Sequence, residues 1–248
     1  TAVVHLAGLA HKAHPTAALQ AVNVAGLNAL AAQAERAGVT RFIFMSSIKA
    51  TATHTSAGPV SEMSTPRPDD AYGVSKLEAE NALRTREELR AVVLRPPLVH
   101  AADARANFAL LMRLANTALP LPFLGLANRR SVISRASLIQ AIFAVLRAPL
   151  GPAGVFHVTD HPSLSTAAML TSLREGLGRR ANLFRAPALA SLTPLVLRES
   201  LEVDDGHFRS SYEFIGQDSR AALAATARAW RARQKWNGCS TFGAQRLS

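Results

Sequence analysis

The feature that most constrains this chain is a series of short apolar runs separated by segments of helical length. Each run is followed by glycine, serine or proline, a pattern typical of strands buried in a parallel sheet. The first connecting segment keeps helical spacing from about Thr16 to Ala37 and ends at Gly38, and a second helix begins near Asp70. The runs are Ala2 to Leu6, Arg41 to Met45 and Ala91 to Leu94.

This order of strands and helices predicts an α/β fold built on a doubly wound, parallel sheet. In such sheets the ligand binds outside the carboxyl ends of the strands. Three short segments follow the runs and are therefore expected to share one ligand-binding edge. They are Ala7-Gly8, Ser46-Ser47 and Pro96-Pro97.

Beyond residue 100 the pattern changes to helices with one short strand, which predicts a smaller substrate-binding region interleaved with the sheet. We assign residues 1–100 to the sheet domain, 101–213 mainly to the substrate-binding region, and 214–248 to a helix and a disordered basic tail. The expected helices are 107–116, 135–146 and 165–177, and the expected strand is 155–158.

The composition excludes several classes of protein. With 248 residues and 48% hydrophobic side chains, the chain is long enough to bury a large core. A single cysteine cannot form an internal disulfide, which favours a reducing cytoplasm. Polar residues interrupt every apolar stretch before it reaches the roughly 20 residues of a membrane span. We therefore expect no membrane span.

A formal net charge of +11 suggests nucleic-acid binding, but the arginines are scattered and no aromatic platform accompanies them. A solvated basic surface is the better interpretation. His11 and His14 are three residues apart, yet Pro15 follows and no carboxylate accompanies them. We therefore predict neither a nucleic-acid partner nor a metal site.

The strongest chemical signal is a tyrosine four residues before a lysine on one predicted helix face. The chain has two tyrosines and four lysines, so this spacing arises by chance with a probability of roughly 3%. Ser47 ends the preceding strand on the same sheet edge. Ser47, Tyr72 and Lys76 are therefore the candidate catalytic residues, with a hydroxyl and a phenol directed at one substrate oxygen.

These motifs, in this order, resemble the NAD-dependent epimerase/dehydratase family of extended short-chain dehydrogenases, whose sheet domain is Rossmann-like. The resemblance is carried by VVHLAGLAHKAH, VNVAGLNALAAQAERAGVTRFIFMSSIKA, DDAYGVSKLEAENAL and AVVLRPPLVH. Later pieces, among them ARANFALLMRLA, ANRRSVIS and GVFHVTDHPSLST, resemble bacterial UDP-N-acetylhexosamine 4-epimerases and 4-keto-sugar reductases. The similarity extends from residue 1 to about residue 209.

The resemblance implies hydride transfer between C4 of a UDP-sugar and a nicotinamide. Ser47 would polarise the sugar oxygen, Tyr72 would exchange its proton, and Lys76 would hold the nicotinamide ribose and lower the tyrosine pKa. A phenol must lose about three pKa units, near 4 kcal/mol, to act as a base at neutral pH. An exposed pair supplies only about 0.2–0.5 kcal/mol. Tyr72 is therefore expected to act as a base only in a desolvated cleft beside bound, oxidised nicotinamide.

The same resemblance assigns the remaining site residues. Those implied at NAD or NADP, besides Tyr72 and Lys76, are Leu6, Ala7, Gly8, Leu9, Ala10, Asn23 and Pro97. Those implied at the nucleotide diphosphate are Asn107 and Phe108 at a helix start and Arg130. The implied partners are the UDP-sugar and, in a homodimer, a second copy of the chain.

The sequence departs from the family pattern at three places. The glycine-rich loop, its strand and the acidic ribose-binding residue are absent, so we interpret the chain as an N-terminally truncated fragment that by itself binds NAD weakly or not at all. His100-Ala101-Ala102-Asp103 replaces the usual Tyr-Gly-Pro-Gly, and the tail from Tyr212 has no counterpart in the family.

Three alternatives remain open at this point. The enzyme is an epimerase or a reductase, or it is a steroid- or flavonoid-type dehydrogenase of the same superfamily, or the chain is a catalytically dead fragment.

Overall fold

The structure is a computed structural model that describes residues 1–10, 14–55, 58–104, 106–186 and 194–243. Within these ranges the side chains of 106–107, 196 and 235–243 are not described. None of the helices in the described ranges is long and apolar enough to cross a membrane.

Four parallel strands form the central sheet, in the order β1, β2, β3 and β6. Residue pairs such as Phe44 with Val93 and Leu94 with Phe156 set the register. A second, two-stranded parallel sheet pairs β4 with β5. The strands are β1 (Ala2–His5), β2 (Arg41–Met45), β3 (Val92–Arg95), β4 (Leu98–His100), β5 (Val132–Ser134) and β6 (Gly154–His157).

Nine helices accompany the strands in the described part of the chain. The first two are continuous through a π-helical segment, Gln20–Ala25, and Gly38 follows them with φ of +67°. That left-handed conformation is the one in which glycine commonly ends a helix. The helices are α1 (Thr16–Leu19), α2 (Gly26–Arg36), α3 (Ala71–Arg84), α4 (Ala106–Asn116), α5 (Arg135–Arg147), α6 (Thr166–Gly176), α7 (Leu195–Arg198), α8 (Gly206–Tyr212) and α9 (Ser219–Gly243).

The central residues of β2 and β3 are apolar because helices cover both faces of the sheet. Phe42 and Phe44 of β2 point to one face and pack with α2 and α3. Ile43, between them, points to the other face and packs with α5 and α8. Successive side chains alternate across a strand, so a sheet that is buried on both sides favours apolar residues at consecutive positions. The prediction of a doubly wound parallel sheet is confirmed.

A third core lies outside the central sheet and joins α4, α6, α9 and β5. Its largest contributor is Phe108, which is 1% exposed. Strand β6, however, pairs with β3 in the central sheet. The region beyond residue 100 therefore contributes to the third core and to the central sheet. The domain boundaries themselves stay predictions.

The structure corrects several of the expected boundaries. Strands β3 and β6 are each displaced by one residue from the predicted 91–94 and 155–158. The run Ala2 to Leu6 was expected to be a buried strand, yet β1 is only partly covered and Leu6 is 59% exposed. The reason is that β1 pairs only with β2 among the described residues.

Candidate functional site

The strand-to-loop junction after β2 holds Ser47 in a fixed position. Ser47 has an extended backbone, with φ of −156°, and it begins the short 3-10 turn Ile48–Ala50. Its hydroxyl accepts a hydrogen bond from the Lys49 amide at 3.3 Å. The amide of Ile48 in turn donates to the Pro96 carbonyl at 3.0 Å, which ties this turn to the end of β3. Ser47 therefore sits at the carboxyl edge of the sheet, as predicted.

The first turn of α3 packs directly against the turn that carries Ser47. Asp70 starts the helix by accepting a hydrogen bond from the Gly73 amide at 2.7 Å. A Cβ at Gly73 would collide with the carbonyl oxygen of Lys49 and would lie 3.1 Å from Cβ of Pro68. Glycine next to Tyr72 thus allows the helix and the turn to approach closely.

This approach brings Tyr72 and Ser47 together. Burial raises the pKa of the Tyr72 phenol to about 12, while a side-chain hydrogen bond with Ser47 acts to lower it. The nearby Asp70 carboxylate raises the pKa further. The two residues predicted to share one substrate oxygen are therefore neighbours in the structure.

Lys76 lies behind this pair and is almost completely buried. Its ammonium group donates to the Met45 carbonyl at 2.9 Å and lies 4.7 Å from the centre of the Phe44 ring. The distance to the centre of the Tyr72 ring is 5.9 Å. Burial lowers the pKa of Lys76 to about 8, against an opposing effect of the Glu80 carboxylate. A lysine this close to deprotonation is sensitive to any charge placed beside it.

The segment after β1 is held to this cluster by the buried side chain of Asn23. Its Oδ1 accepts from the Leu9 amide at 2.8 Å, and its Nδ2 donates to the Leu9 carbonyl at 3.2 Å. Nδ2 also donates to the Ser75 hydroxyl at 3.0 Å. Asn23 lies in the π-helical segment, a distortion that is frequent at functional sites.

The strand-end stretch expected at the cofactor follows β1 along this edge. Leu6, Ala7 and Gly8 are exposed, and Leu9 and Ala10 are partly buried. A Cβ at Gly8 would lie 3.1 Å from Asn23 Oδ1 and 3.3 Å from Lys76 Nζ. Only glycine leaves this backbone open without crowding those two polar groups.

Of the residues expected near the cofactor beyond β1, Pro97 is buried directly after β3. It follows Pro96, whose carbonyl is bonded to the turn that carries Ser47. Pro97 is therefore at the same edge as Ser47, Tyr72 and Lys76.

The residues expected at the nucleotide diphosphate lie on other elements. Phe108, in the first turn of α4, points into the third core, and the side chain of Asn107 is outside the described residues. Arg130 is 8% exposed, and its Nη1 donates to the Glu199 carbonyl at 2.7 Å. No hydrogen bond in the described ranges joins these residues to Ser47, Tyr72 or Lys76.

The loop that departs from the family pattern also has a defined structure. His100 is fully buried, its Nδ1 lies 3.0 Å from the Thr226 hydroxyl, and burial lowers its pKa to about 4. Asp103 forms an exposed ion pair with Arg135. His100 therefore links β4 to α9.

A buried ion pair next to the site was not predicted from the sequence. Glu80 and Arg95 face each other with 1% and 3% of their side chains exposed. Glu80 follows Lys76 by four residues on the same helix face, and Arg95 immediately precedes Pro96-Pro97. These spacings were visible in the sequence, but nothing in it indicated that the two side chains meet.

The described residues contain no cluster of three or more histidine, cysteine or acidic side chains that could hold a metal ion. His11, one of the two histidines weighed as metal ligands, lies outside the described residues.

Comparison with known proteins adds two independent similarities in sequence. Residues 1–158 match the model of the NAD dependent epimerase/dehydratase family. A UDP-glucose 4-epimerase from Vibrio cholerae is 39% identical over 189 residues, which make up 72% of this chain and 58% of that enzyme. The chain thus spans less than two thirds of the length of this relative.

Solved structures show the same fold. A UDP-N-acetylglucosamine 4-epimerase from Bacillus cereus superposes with a TM-score of 0.76 at 18% identity, over 94% of this chain and 79% of that one. A UDP-glucuronic acid 4-epimerase from Bacillus cereus, in complex with NAD, superposes with a TM-score of 0.74 at 18% identity. That match covers 95% of this chain and 74% of the other. At these identities the likeness is one of fold.

Proposed function

The chain belongs to the NAD-dependent epimerase/dehydratase family, and on that premise we propose that the protein changes C4 of a UDP-hexose or UDP-N-acetylhexosamine by hydride transfer, as an epimerase or a 4-keto reductase. One observation carries the proposal. Ser47 and Tyr72, from different elements, meet at the carboxyl edge of the sheet with the Lys76 ammonium group behind them.

The residues around Gly8 fit a nicotinamide ribose. Lys76 uses one ammonium hydrogen on the Met45 carbonyl, and the described residues accept no hydrogen bond from the other two. Two donors therefore remain for ribose hydroxyl groups. The missing side chain at Gly8 leaves the adjacent backbone open for close approach by a planar group. Either NAD or NADP satisfies these contacts.

The proton chemistry belongs to Tyr72 and Ser47. A pKa of about 12 leaves roughly one phenol in 10⁵ ionised at pH 7, so Tyr72 is a poor base by itself. When bound, oxidised nicotinamide supplies the hydride acceptor and a second positive charge near the phenol. Tyr72 then takes the proton from the sugar O4 hydroxyl, and Ser47 donates a hydrogen bond to the same oxygen as it becomes a carbonyl. The reverse transfer returns the proton from Tyr72 to O4.

The substrate class rests on two supports. The relative with 39% identity is named for UDP-glucose, and the similarity covers 72% of this chain. The start of α4, at Ala106–Asn116, and the guanidinium of Arg130 provide donor types suited to a diphosphate. We assign Asn107, Phe108 and Arg130 to this role, with Phe108 contributing its backbone because its side chain is packed in the third core.

The test is to incubate the full-length protein with UDP-glucose, UDP-N-acetylglucosamine or UDP-glucuronic acid and with NAD, NADH or the corresponding NADP forms. NMR of the products detects inversion at C4, and absorbance follows net nicotinamide turnover. Inversion without net turnover identifies an epimerase, whereas stoichiometric oxidation of the reduced cofactor identifies a reductase. Failure to alter C4 of any UDP-sugar would overturn the proposal.

The diphosphate assignment predicts that Arg130→Ala weakens UDP binding about tenfold or more, because a charged donor is lost. Isothermal titration calorimetry with UDP measures this effect. Arg129→Ala is the matched control, since the neighbouring Arg129 side chain is 58% exposed and pairs with Glu202. Equal UDP affinity of the Arg130 variant and the parent would favour a steroid- or flavonoid-type dehydrogenase.

A further inference from the structure

A buried ion pair lies directly behind the candidate site. Arg95 Nε lies 3.0 Å and 3.2 Å from the two carboxylate oxygens of Glu80, and Arg95 Nη2 also donates to this carboxylate. The remaining guanidinium nitrogen, Nη1, donates to the buried Thr51 hydroxyl at 2.8 Å. The carboxylate is therefore fixed in orientation by its partner.

This ion pair connects the three elements that carry the catalytic candidates. The Ser46 hydroxyl donates to Glu80, and Ser46 immediately precedes Ser47. Arg95 ends β3, directly before the two prolines, and Thr51 follows the turn that Ser47 begins. A displacement of Glu80 would therefore shift the residues bonded to it at the end of β2 and at the end of β3, as well as α3 itself.

Glu80 also supplies negative charge to Lys76, one helical turn earlier on the same face. Its carboxylate raises the pKa of Lys76, against the larger lowering by burial. Within the described ranges, Tyr72 on α3 and His5 on β1 also face this ammonium group. Burial and the Lys76 charge both lower the pKa of His5, so His5 stays neutral and adds no charge beside the ammonium group.

Stability alone does not account for such an arrangement. Two charges taken out of water lose about as much solvation as they gain from each other, and well-packed apolar side chains often replace them without loss. Here, however, the Glu80 carboxylate is hydrogen-bonded to Ser46, which precedes Ser47, and its charge acts on Lys76.

We propose that Glu80 is a positioning residue that fixes Ser47 through Ser46 and holds a carboxylate one helical turn from the Lys76 ammonium group. The meaning of this role rests on the proposed function. Its first test, however, does not depend on catalysis.

The test is an NMR titration of the side-chain nitrogens of isotope-labelled lysines in the full-length protein. Lys76→Arg identifies the Lys76 signal. In the parent we expect this signal to titrate at about 8. In Glu80→Gln its midpoint falls by about one pH unit, because an opposite charge nearby is lost. In Glu80→Asp, which keeps the charge, the midpoint stays close to that of the parent.

Two further variants keep the test decisive. Glu80→Leu/Arg95→Met removes both charges, so that no buried guanidinium is left unpaired, and it shows the same lowered midpoint. Glu35→Gln is the matched control, because it breaks the partly buried pair with Arg86 away from the site and leaves Lys76 unchanged. Circular dichroism verifies that each variant is folded.

The proposal is overturned if folded Glu80 variants titrate Lys76 as the parent does. It is also overturned if both Glu80→Gln and the double variant unfold, because that result assigns the pair to the stability of the fold.

The second measurement is the pH profile of kcat with the UDP-sugar that the protein converts. In Glu80→Gln the basic limb moves to lower pH by the amount seen in the titration, while KM for the sugar stays within about twofold. An inactive parent would refute the proposed function while leaving the titration to decide the role of Glu80. A fall in kcat without any change in the profile would contradict the charge effect on Lys76.

Discussion

The two ends of the central sheet each hold a buried cation near a tyrosine, yet the two pairs have different surroundings. At the carboxyl ends of the strands, Lys76 lies behind Tyr72. At the amino ends, Arg41 begins β2 and interacts with Tyr212 of α8. These are the only two tyrosines in the sequence. Burial raises the pKa of both phenols.

At the amino end, most of the donors have a fixed acceptor. The Arg41 guanidinium donates to carbonyl oxygens in the connection from α5 to β6 and to one more just before β3, and the Tyr212 hydroxyl donates to the same connection. The acceptors of Arg41 are Ala148, Pro149, Gly151, Pro152 and Arg90. This guanidinium therefore ties the connection from α5 to β6 to the start of β2.

At the carboxyl end, Lys76 has one carbonyl acceptor among the described residues, at Met45. The Tyr72 hydroxyl interacts with another hydroxyl, that of Ser47, which can itself donate or accept. A cation with unused donors and a phenol with an adaptable partner can bind a ligand and move a proton. Burial is common to both pairs and does not by itself distinguish them. Donors without fixed acceptors distinguish the site from the structural pair.

The largest expected effect separates the two tyrosines by activity. Tyr72→Phe lowers kcat about 10²–10⁴-fold, the usual contribution of a general acid or base, with KM little changed. Tyr212→Phe is the matched control and leaves kcat within about twofold, because the Tyr212 hydroxyl donates a hydrogen bond to the Pro152 carbonyl, away from the site. Steady-state kinetics of the full-length protein measures both variants. Equal losses at the two positions would refute the distinction between the ends.

The next effect is on stability, at the amino end. Arg41→Met lowers the free energy of unfolding by about 2–4 kcal/mol, since each hydrogen bond to a charged donor contributes about 1.5–3 kcal/mol and water replaces part of the loss. Chemical denaturation at pH 7 measures it. Arg90→Met is a suitable control, because Arg90 donates to the same connection from an exposed position. If Arg41→Met were as stable as the parent, the hydrogen bonds of the Arg41 guanidinium would not stabilise the fold.

At the carboxyl end, replacing Lys76 by methionine should raise the free energy of unfolding instead of lowering it. Burial lowers the pKa of Lys76 from 10.5 to about 8, so below pH 8 the folded chain holds an unfavourable buried charge. Lys76→Met therefore raises the free energy of unfolding by about 2 kcal/mol at pH 7, at the cost of activity.

The pH dependence of stability tests the predicted stabilisation by Lys76→Met. Between pH 8 and 10.5 the folded parent loses the Lys76 proton while the unfolded chain keeps it, so the parent gains stability as pH rises. The advantage of Lys76→Met over the parent should shrink across this range. Lys49→Met, at a partly exposed ion pair with Asp70, should show no such trend. A constant difference between parent and Lys76→Met would contradict the lowered pKa.

The two ends also differ in how far the sequence predicted them. The carboxyl end was accessible because its signals are local: strand runs end at Ser47 and Pro97, and Tyr72 and Lys76 are one helical turn apart. The amino end was not, since four of the five carbonyl acceptors of Arg41 are more than 100 residues away in the chain. The Glu80–Arg95 pair and the exposure of β1 were missed for the same reason, because they depend on which elements become neighbours.

The smallest expected effect is the stability contribution of the Tyr212 hydroxyl. Tyr212→Phe lowers the free energy of unfolding by about 1 kcal/mol, the usual net contribution of one hydrogen bond. The Pro152 carbonyl loses one of its two donors, while the ring keeps its contacts with Phe156 and Phe208. Tyr72→Phe, measured in the same denaturation series, should change stability by less, since Ser47 can reorient toward water or the backbone. A greater loss in Tyr72→Phe than in Tyr212→Phe would mean that the hydroxyl at the carboxyl end is the more tightly fixed of the two. The contrast between a structural and a reactive tyrosine would then fail.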